Sequence, residues 1–154
     1  MREVRRNALV SYTPAQMYAL VNDAARYPEF VPGCRATRVL AETPVTKTAT
    51  LELARLGVSI AITTDNRMVP GERIELSLRD GPLKHFTGRW DFLPIRAAGT
   101  ADAPGAVRGC RVELSVAFEF QNAALGLVLG PLFESTWDTL VDAFVRRARE
   151  VYGG

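Results

Sequence analysis

From about Arg35 to Gln121 apolar and polar residues alternate, and after Asn122 the apolar residues recur every third or fourth position instead. The first period belongs to strands with one wet and one dry face, the second to an amphipathic helix. This order restricts the chain to a run of antiparallel strands whose common dry face is closed by a final helix. Val58, Ile60 and Ile62 alternate with Ser59, Ala61 and Thr63; Ile74, Leu76 and Leu78 alternate with Glu75, Ser77 and Arg79. Val112, Leu114, Val116, Phe118 and Phe120 alternate with Glu113, Ser115, Ala117 and Glu119 in the same way. Six strands fit between breakers at Thr43-Pro44, Gly57, Pro70-Gly71, Asp80-Gly81-Pro82 and the stretch Ala97 to Gly109, which reads as a hairpin tip.

Ahead of this block, Glu3 to Ser11 reads as a first strand. Thr13, Pro14 and Gln16 then stand at the N-cap, first and third positions of a helix, a capping box with its proline where a missing N–H does no harm. That helix carries Met17, Tyr18, Leu20 and Val21, breaks near Asn22-Asp23, and gives way to a shorter piece ending at Pro28. Pro28 and Pro32 bracket an apolar turn from Tyr27 to Cys34. The last helix starts at Asn122 and continues to Val151 on a stripe of Leu129, Phe133, Trp137, Leu140, Val141, Phe144 and Ala148. Gly130-Pro131 lies inside it and predicts a kink or a break near Leu127 to Gly130.

A chain of 154 residues suits one domain, spanning 1–154, and its 47% apolar content is ample for a core. The net charge of +2 permits an anionic partner without demanding one. Only Ala8-Leu9-Val10 follows the basic start before Ser11, too short for a signal peptide, and no apolar run would cross a membrane. Cys34 and Cys110 lie far apart with no partners at metal spacing, as expected of reduced core thiols in a cytoplasmic protein without a metal site.

The element order implies an α+β helix-grip fold: a curved seven-stranded antiparallel sheet wrapped around a long C-terminal helix, with two short helices after the first strand. Such a sheet and helix enclose either a solid core or an apolar ligand cavity. Phe86, Gly88, Trp90 and Phe92 share one inward face, Val116, Phe118 and Phe120 another, and Phe133, Trp137, Val141 and Phe144 face them from the helix. Gly88 leaves room or marks a bend, and the Trp137 indole requires an acceptor from a ligand or from the backbone. Tyr27, Phe30 and Val31 form a gate at the cavity mouth or plug the end of the core. Thr64, Asn66 and Arg55 are polar residues expected to point inward. Cys34 has no base beside it, since the sole histidine, His85, has no carboxylate at a useful spacing, so no catalytic residue is expected.

Short motifs spread over the whole chain carry a resemblance. They are Ala8-Leu9-Val10 with Tyr18-Leu20-Val21-Asn22-Asp23, and Tyr27-Pro28-Glu29-Phe30-Val31-Pro32-Gly33-Cys34. Further on come Asp80-Gly81-Pro82 with Gly88-Arg89-Trp90-Asp91-Phe92, Phe118-Glu119-Phe120, Ala143-Phe144, Arg147-Ala148 and Val151-Tyr152-Gly153. In order and spacing the chain resembles the RatA and coenzyme Q-binding branch of the START-like, polyketide cyclase/dehydrase superfamily; its Ala97 to Val107 hairpin is longer than is typical there. The resemblance implies a non-enzymatic protein that holds ubiquinone or a related isoprenoid lipid and supports respiration. On that reading Tyr27, Phe30, Val31, Phe86, Trp90, Phe92, Val116, Phe118, Phe120, Phe133, Trp137 and Val141 line the cavity or its mouth. The alternative implied is inhibition of ribosomal subunit association at the large subunit, with Arg146, Arg147 and Arg149 as the RNA contact, or a peripheral membrane contact in its place. A polyketide cyclase or aromatase comes third, and DNA is not an expected partner.

Overall fold

The computed structural model describes residues 1–100, 103 and 105–153. The elements run β1 (Arg2–Val10), α1 (Pro14–Asn22), a 3-10 helix (Ala24–Glu29), β2 (Cys34–Glu42), β3 (Thr46–Arg55), β4 (Val58–Val69), β5 (Arg73–Asp80), β6 (Leu83–Arg96), β7 (Val107–Phe120) and α2 (Ala123–Tyr152). The strands form one antiparallel sheet in the order β1-β7-β6-β5-β4-β3-β2, curved around α2. The hairpin expected from Ala97 to Gly109 joins β6 to β7, and residues 101, 102 and 104 of it lie outside the described residues.

The local signals act as read. Thr13 Oγ1 accepts from the Gln16 amide at 3.1 Å while the Thr13 amide donates to Gln16 Oε1 at 2.8 Å, closing the capping box at the start of α1. Asn122 Oδ1 accepts from the Leu125 amide at 2.9 Å and starts α2. The break expected near Leu127 to Gly130 is absent: α2 is continuous through Pro131. The proline deprives only the Leu127 carbonyl of its donor, and Leu127 is exposed, so water can serve that carbonyl.

The dry face divides into two unequal halves. Over β6 and β7, Phe133 of α2 sits fully buried with its ring edge-on to Phe118 at 4.8 Å, and Phe86, Phe120 and Trp137 stand within 6 Å of it. Further along α2, Phe144 meets Trp90 edge-on at 5.4 Å, and Phe92 stacks on Trp90. Gly88 opens no space between these rings: a Cβ there would lie 3.0 Å from Leu76 Cδ1 and 3.1 Å from Val116 Cγ1, so the two neighbours already occupy its gap. Over β3, β4 and β5 the inward side chains are smaller, and the sheet does not close on the helix.

Charged residues brace the outside. On β1, Arg2 pairs with Glu134 and Arg6 with Asp138 at 2.6 Å, tying the edge strand to α2. On the outer face Asp91 lies between Arg89 at 2.7 Å and Arg73 at 3.0 Å. Burial pushes the Asp91 carboxyl up, but the hydrogen bonds and charges of Arg89 and Arg73 outweigh it and hold the group below its ordinary value. Its stabilising effect is therefore fully present above about pH 4, the unfolded value, and fades as pH falls through the lower folded value. Asp91→Asn is expected to cost about 1–2 kcal/mol at pH 7. Urea unfolding at pH 7 and pH 3 checks this, because the gap between the two proteins should narrow at the lower pH.

Candidate ligand cavity

A narrow, largely enclosed cavity of about 50 Å³ lies between α2 and the β3–β5 part of the sheet. Ala49 and Leu53 of β3, Ile62 of β4 and Leu76 of β5 form its floor, and Trp137 and Leu140 of α2 its roof. At 10–15 Å³ for each water it holds roughly four, so a lipid enters only if the walls part.

The residues expected at a ligand divide along the two halves of the core. Tyr27, Val31, Trp90 and Trp137 line the cavity. Phe86, Phe92, Val116, Phe118, Phe133 and Val141 do not; they are buried in the aromatic half. Phe120 is half-buried beside Phe118 and Phe133, away from the cavity. Phe30 also lies off the cavity, packed edge-on against Phe144 at 5.3 Å. Thr64 and Asn66 point inward as expected, whereas Arg55 does not: it is exposed at the β3–β4 turn. Four of the lining residues that sequence reasoning missed come from β3, where Lys47, Ala49, Leu51 and Leu53 are in phase on the inward face.

The polar groups of the cavity are few. Lys47 is only 5% exposed, donates to the Asn22 carbonyl oxygen and pairs with Glu42 Oε2 at 2.9 Å. Thr64 Oγ1 donates to Asn66 Oδ1 at 2.7 Å, and Thr136 Oγ1 to the Leu132 carbonyl at 2.9 Å. Trp137 is 3% exposed, and its Nε1 has no hydrogen-bond partner among the described residues. Cys34 is buried at the wall, where loss of solvent pushes its thiol up to about 11. It stays a protonated thiol near neutral pH, and His85 is exposed elsewhere on β6. Cys110 is likewise buried and free.

The 3-10 helix and the turn after it cover one side. The Tyr27 hydroxyl donates to the Val21 carbonyl, and burial drives that phenol well above its ordinary value. Arg147 of α2 donates to Glu29 Oε1 at 2.7 Å and lays its guanidinium 4.9 Å over the Phe30 ring. Arg147, expected with Arg146 and Arg149 to meet RNA or a membrane, is thereby engaged within the molecule; Arg146 and Arg149 are exposed and form no ion pair among the described residues. Among the described residues no helix is long and apolar enough to cross a membrane.

Comparison with known proteins places this architecture. The chain matches the model of the family described as polyketide cyclase/dehydrase and lipid transport over residues 10–145. It is 41% identical over 153 residues to the ribosome association toxin RatA of Vibrio cholerae, covering 99% of both chains. It is 27% identical to the mitochondrial coenzyme Q-binding protein of Drosophila melanogaster over 94% of this chain and 57% of that one. Among solved structures, the Zhui aromatase/cyclase of a Streptomyces species superposes with a TM-score of 0.75 at 18% identity, covering 99% of this chain and 98% of that one, a likeness of fold. Motifs, fold and comparisons agree: the chain belongs to the polyketide cyclase/dehydrase and lipid transport family, in the branch that holds RatA and the coenzyme Q-binding proteins.

Proposed function

We propose that this protein is a non-enzymatic, cytoplasmic carrier of a hydrophobic small molecule, ubiquinone or a related isoprenoid lipid, in support of respiration. The observation that carries the proposal is the incompletely filled apolar space between α2 and β3–β5, covered on one side by a 3-10 helix that Arg147 ties to α2 through Glu29 and Phe30. Burial of a chain there contributes roughly 25 cal/mol per Å² of apolar area removed from water. The name of the Drosophila relative supports the quinone as the ligand. A cyclase gains less support: burial holds the protons on Tyr27 and Cys34 at the cavity wall, and the Lys47 ammonium is already paired with Glu42. Native mass spectrometry with lipid extraction tests the proposal on the purified protein. A quinone or isoprenoid at near-stoichiometric amount upholds it, and an empty protein that still co-sediments with large ribosomal subunits overturns it.

The second reading, action on the large ribosomal subunit, is favoured by the 41% identity to the Vibrio cholerae toxin along the full chain. It would work through the surface, and Arg146 and Arg149 are the exposed cations on α2 open to it. Reversing both to glutamate should weaken co-sedimentation and its salt dependence while leaving cavity binding unchanged.

A further inference from the structure

Among the described residues the two most exposed large apolar side chains are Leu56, at 92%, and Leu127, at 80%. They stand at one end of the molecule. Gly33 lies between their elements: its carbonyl accepts from the Ala54 amide of β3 at 2.8 Å, and a Cβ on it would lie 3.9 Å from Leu132 Cδ1 of α2. Leu56 and Gly57 form the two-residue turn from β3 to β4, with φ of 50° and 80°. Such a turn favours Asn-Gly, and a leucine in it bears both left-handed strain and full contact with water. On α2 the eleven residues Ala123 to Phe133 carry no charge. Ala124, Leu127, Val128 and Pro131 fall on one side of these turns, and all four are exposed.

The cavity wall runs along β3 to Leu53 and along α2 to Thr136. The patch continues both lines, with Leu56 three residues beyond Leu53 and Val128 about two turns nearer the start of α2 than Thr136. An isoprenoid guest resides in bilayers, so a bilayer on this end adjoins the space that receives it. The charged side chains around the patch balance. Arg35 pairs with Glu52 at 3.7 Å and Arg2 with Glu134, which among the described residues leaves Arg55 and Lys84 set against Asp80 and Glu119. Such a rim favours neither a polyanion nor a polycation, whereas a zwitterionic lipid surface takes up apolar side chains without needing a charged one. We infer that this end docks on lipid bilayers by inserting Leu56 and the Leu127–Val128 face of α2, a contact made by apolar burial and separate from Arg146 and Arg149. The inference rests on the carrier reading for its choice of occupant.

Co-flotation of the full chain with phosphatidylcholine vesicles tests the surface, beside calorimetric titration of a short-chain ubiquinone in vesicle-free buffer. The unaltered protein should float with the vesicles about equally at low and high salt, because insertion neutralises little charge. Leu127→Gln and Leu56→Asn should each weaken flotation about tenfold, and the pair about a hundredfold. Asparagine tolerates the left-handed backbone, so Leu56→Asn should melt at the same temperature as the unaltered protein or higher. Both variants should bind the soluble quinone as the unaltered protein does. An unaltered protein that stays off the vesicles, or floats only at low salt, would overturn the inference, as would a double variant that floats undiminished. Self-association of the unaltered chain that Leu127→Gln abolishes would give this face to a second copy and overturn it too. Quinone binding without flotation removes the docking surface and leaves the carrier reading standing. Flotation that the variants lose, without quinone binding, upholds the surface and removes the carrier reading.

Discussion

Ala49→Leu is expected to abolish lipid binding and leave the fold standing. Ala49 is buried on β3 with its methyl group on the cavity floor, facing a space of about 50 Å³. An isobutyl group there takes the room that a ligand chain would need. Inserting carbons into a tight core costs about 1–3 kcal/mol, and a pre-existing void brings the cost to the low end of that range. Affinity for a quinone probe should fall by about a hundredfold or more, since the ligand must now displace a covalently held side chain; this corresponds to about 2.7 kcal/mol. Calorimetric titration gives the binding, and a thermal melt of the same sample shows the fold. Undiminished affinity in a folded variant would place the ligand outside this cavity.

Phe133→Ala should have the opposite profile. This ring is fully buried and is the hub of the aromatic half, in edge-on contact with Phe86, Phe118, Phe120 and Trp137. Phenylalanine-to-alanine changes at such sites cost about 3–5 kcal/mol, against a total stability of about 5–15 kcal/mol for ordinary proteins. The urea midpoint should drop sharply, with little change in slope, and much of the remaining protein should be near its unfolding threshold at physiological temperature. The two substitutions together distinguish a half of the core that holds the molecule up from a half that holds its guest.

That division was only partly legible in the sequence. The strands, the capping box at Thr13 and the start at Asn122 are local chemistry, read from spacing and residue type, and they stand where expected. The inward faces were also correctly phased: Phe86, Trp90, Phe92, Val116 and Phe118 are all buried. What the pattern does not contain is how α2 lies across the sheet, and this decides which inward residues meet helix and which meet open space. Aromatic rings suggested ligand contacts, and Tyr27, Trp90 and Trp137 do line the cavity, yet most of the large rings fill the core, and the cavity floor is made of smaller side chains such as Ala49, Leu51, Ile62 and Thr64. Residue size along successive strands was the available signal. A second signal lay in phase: Lys47 shares the strand face of Ala49, Leu51 and Leu53, which marks it as an inward cation. Arg147 follows Phe144 by three residues and so extends the inward stripe, while Arg146 falls off it. The partners Glu29 and Phe30, more than a hundred positions away, could not be read from spacing.

The latch formed by Arg147 on Glu29 and Phe30 bears on how fast anything can enter. If a guest enters on the side covered by the 3-10 helix, that helix must lift, and at high guest concentration the association rate should level off at the frequency of lifting. Because Glu29 is about half exposed, dissolved salt screens the ionic part of the hold. Salt should therefore quicken entry and exit together, leaving the equilibrium affinity for an apolar guest almost where it was.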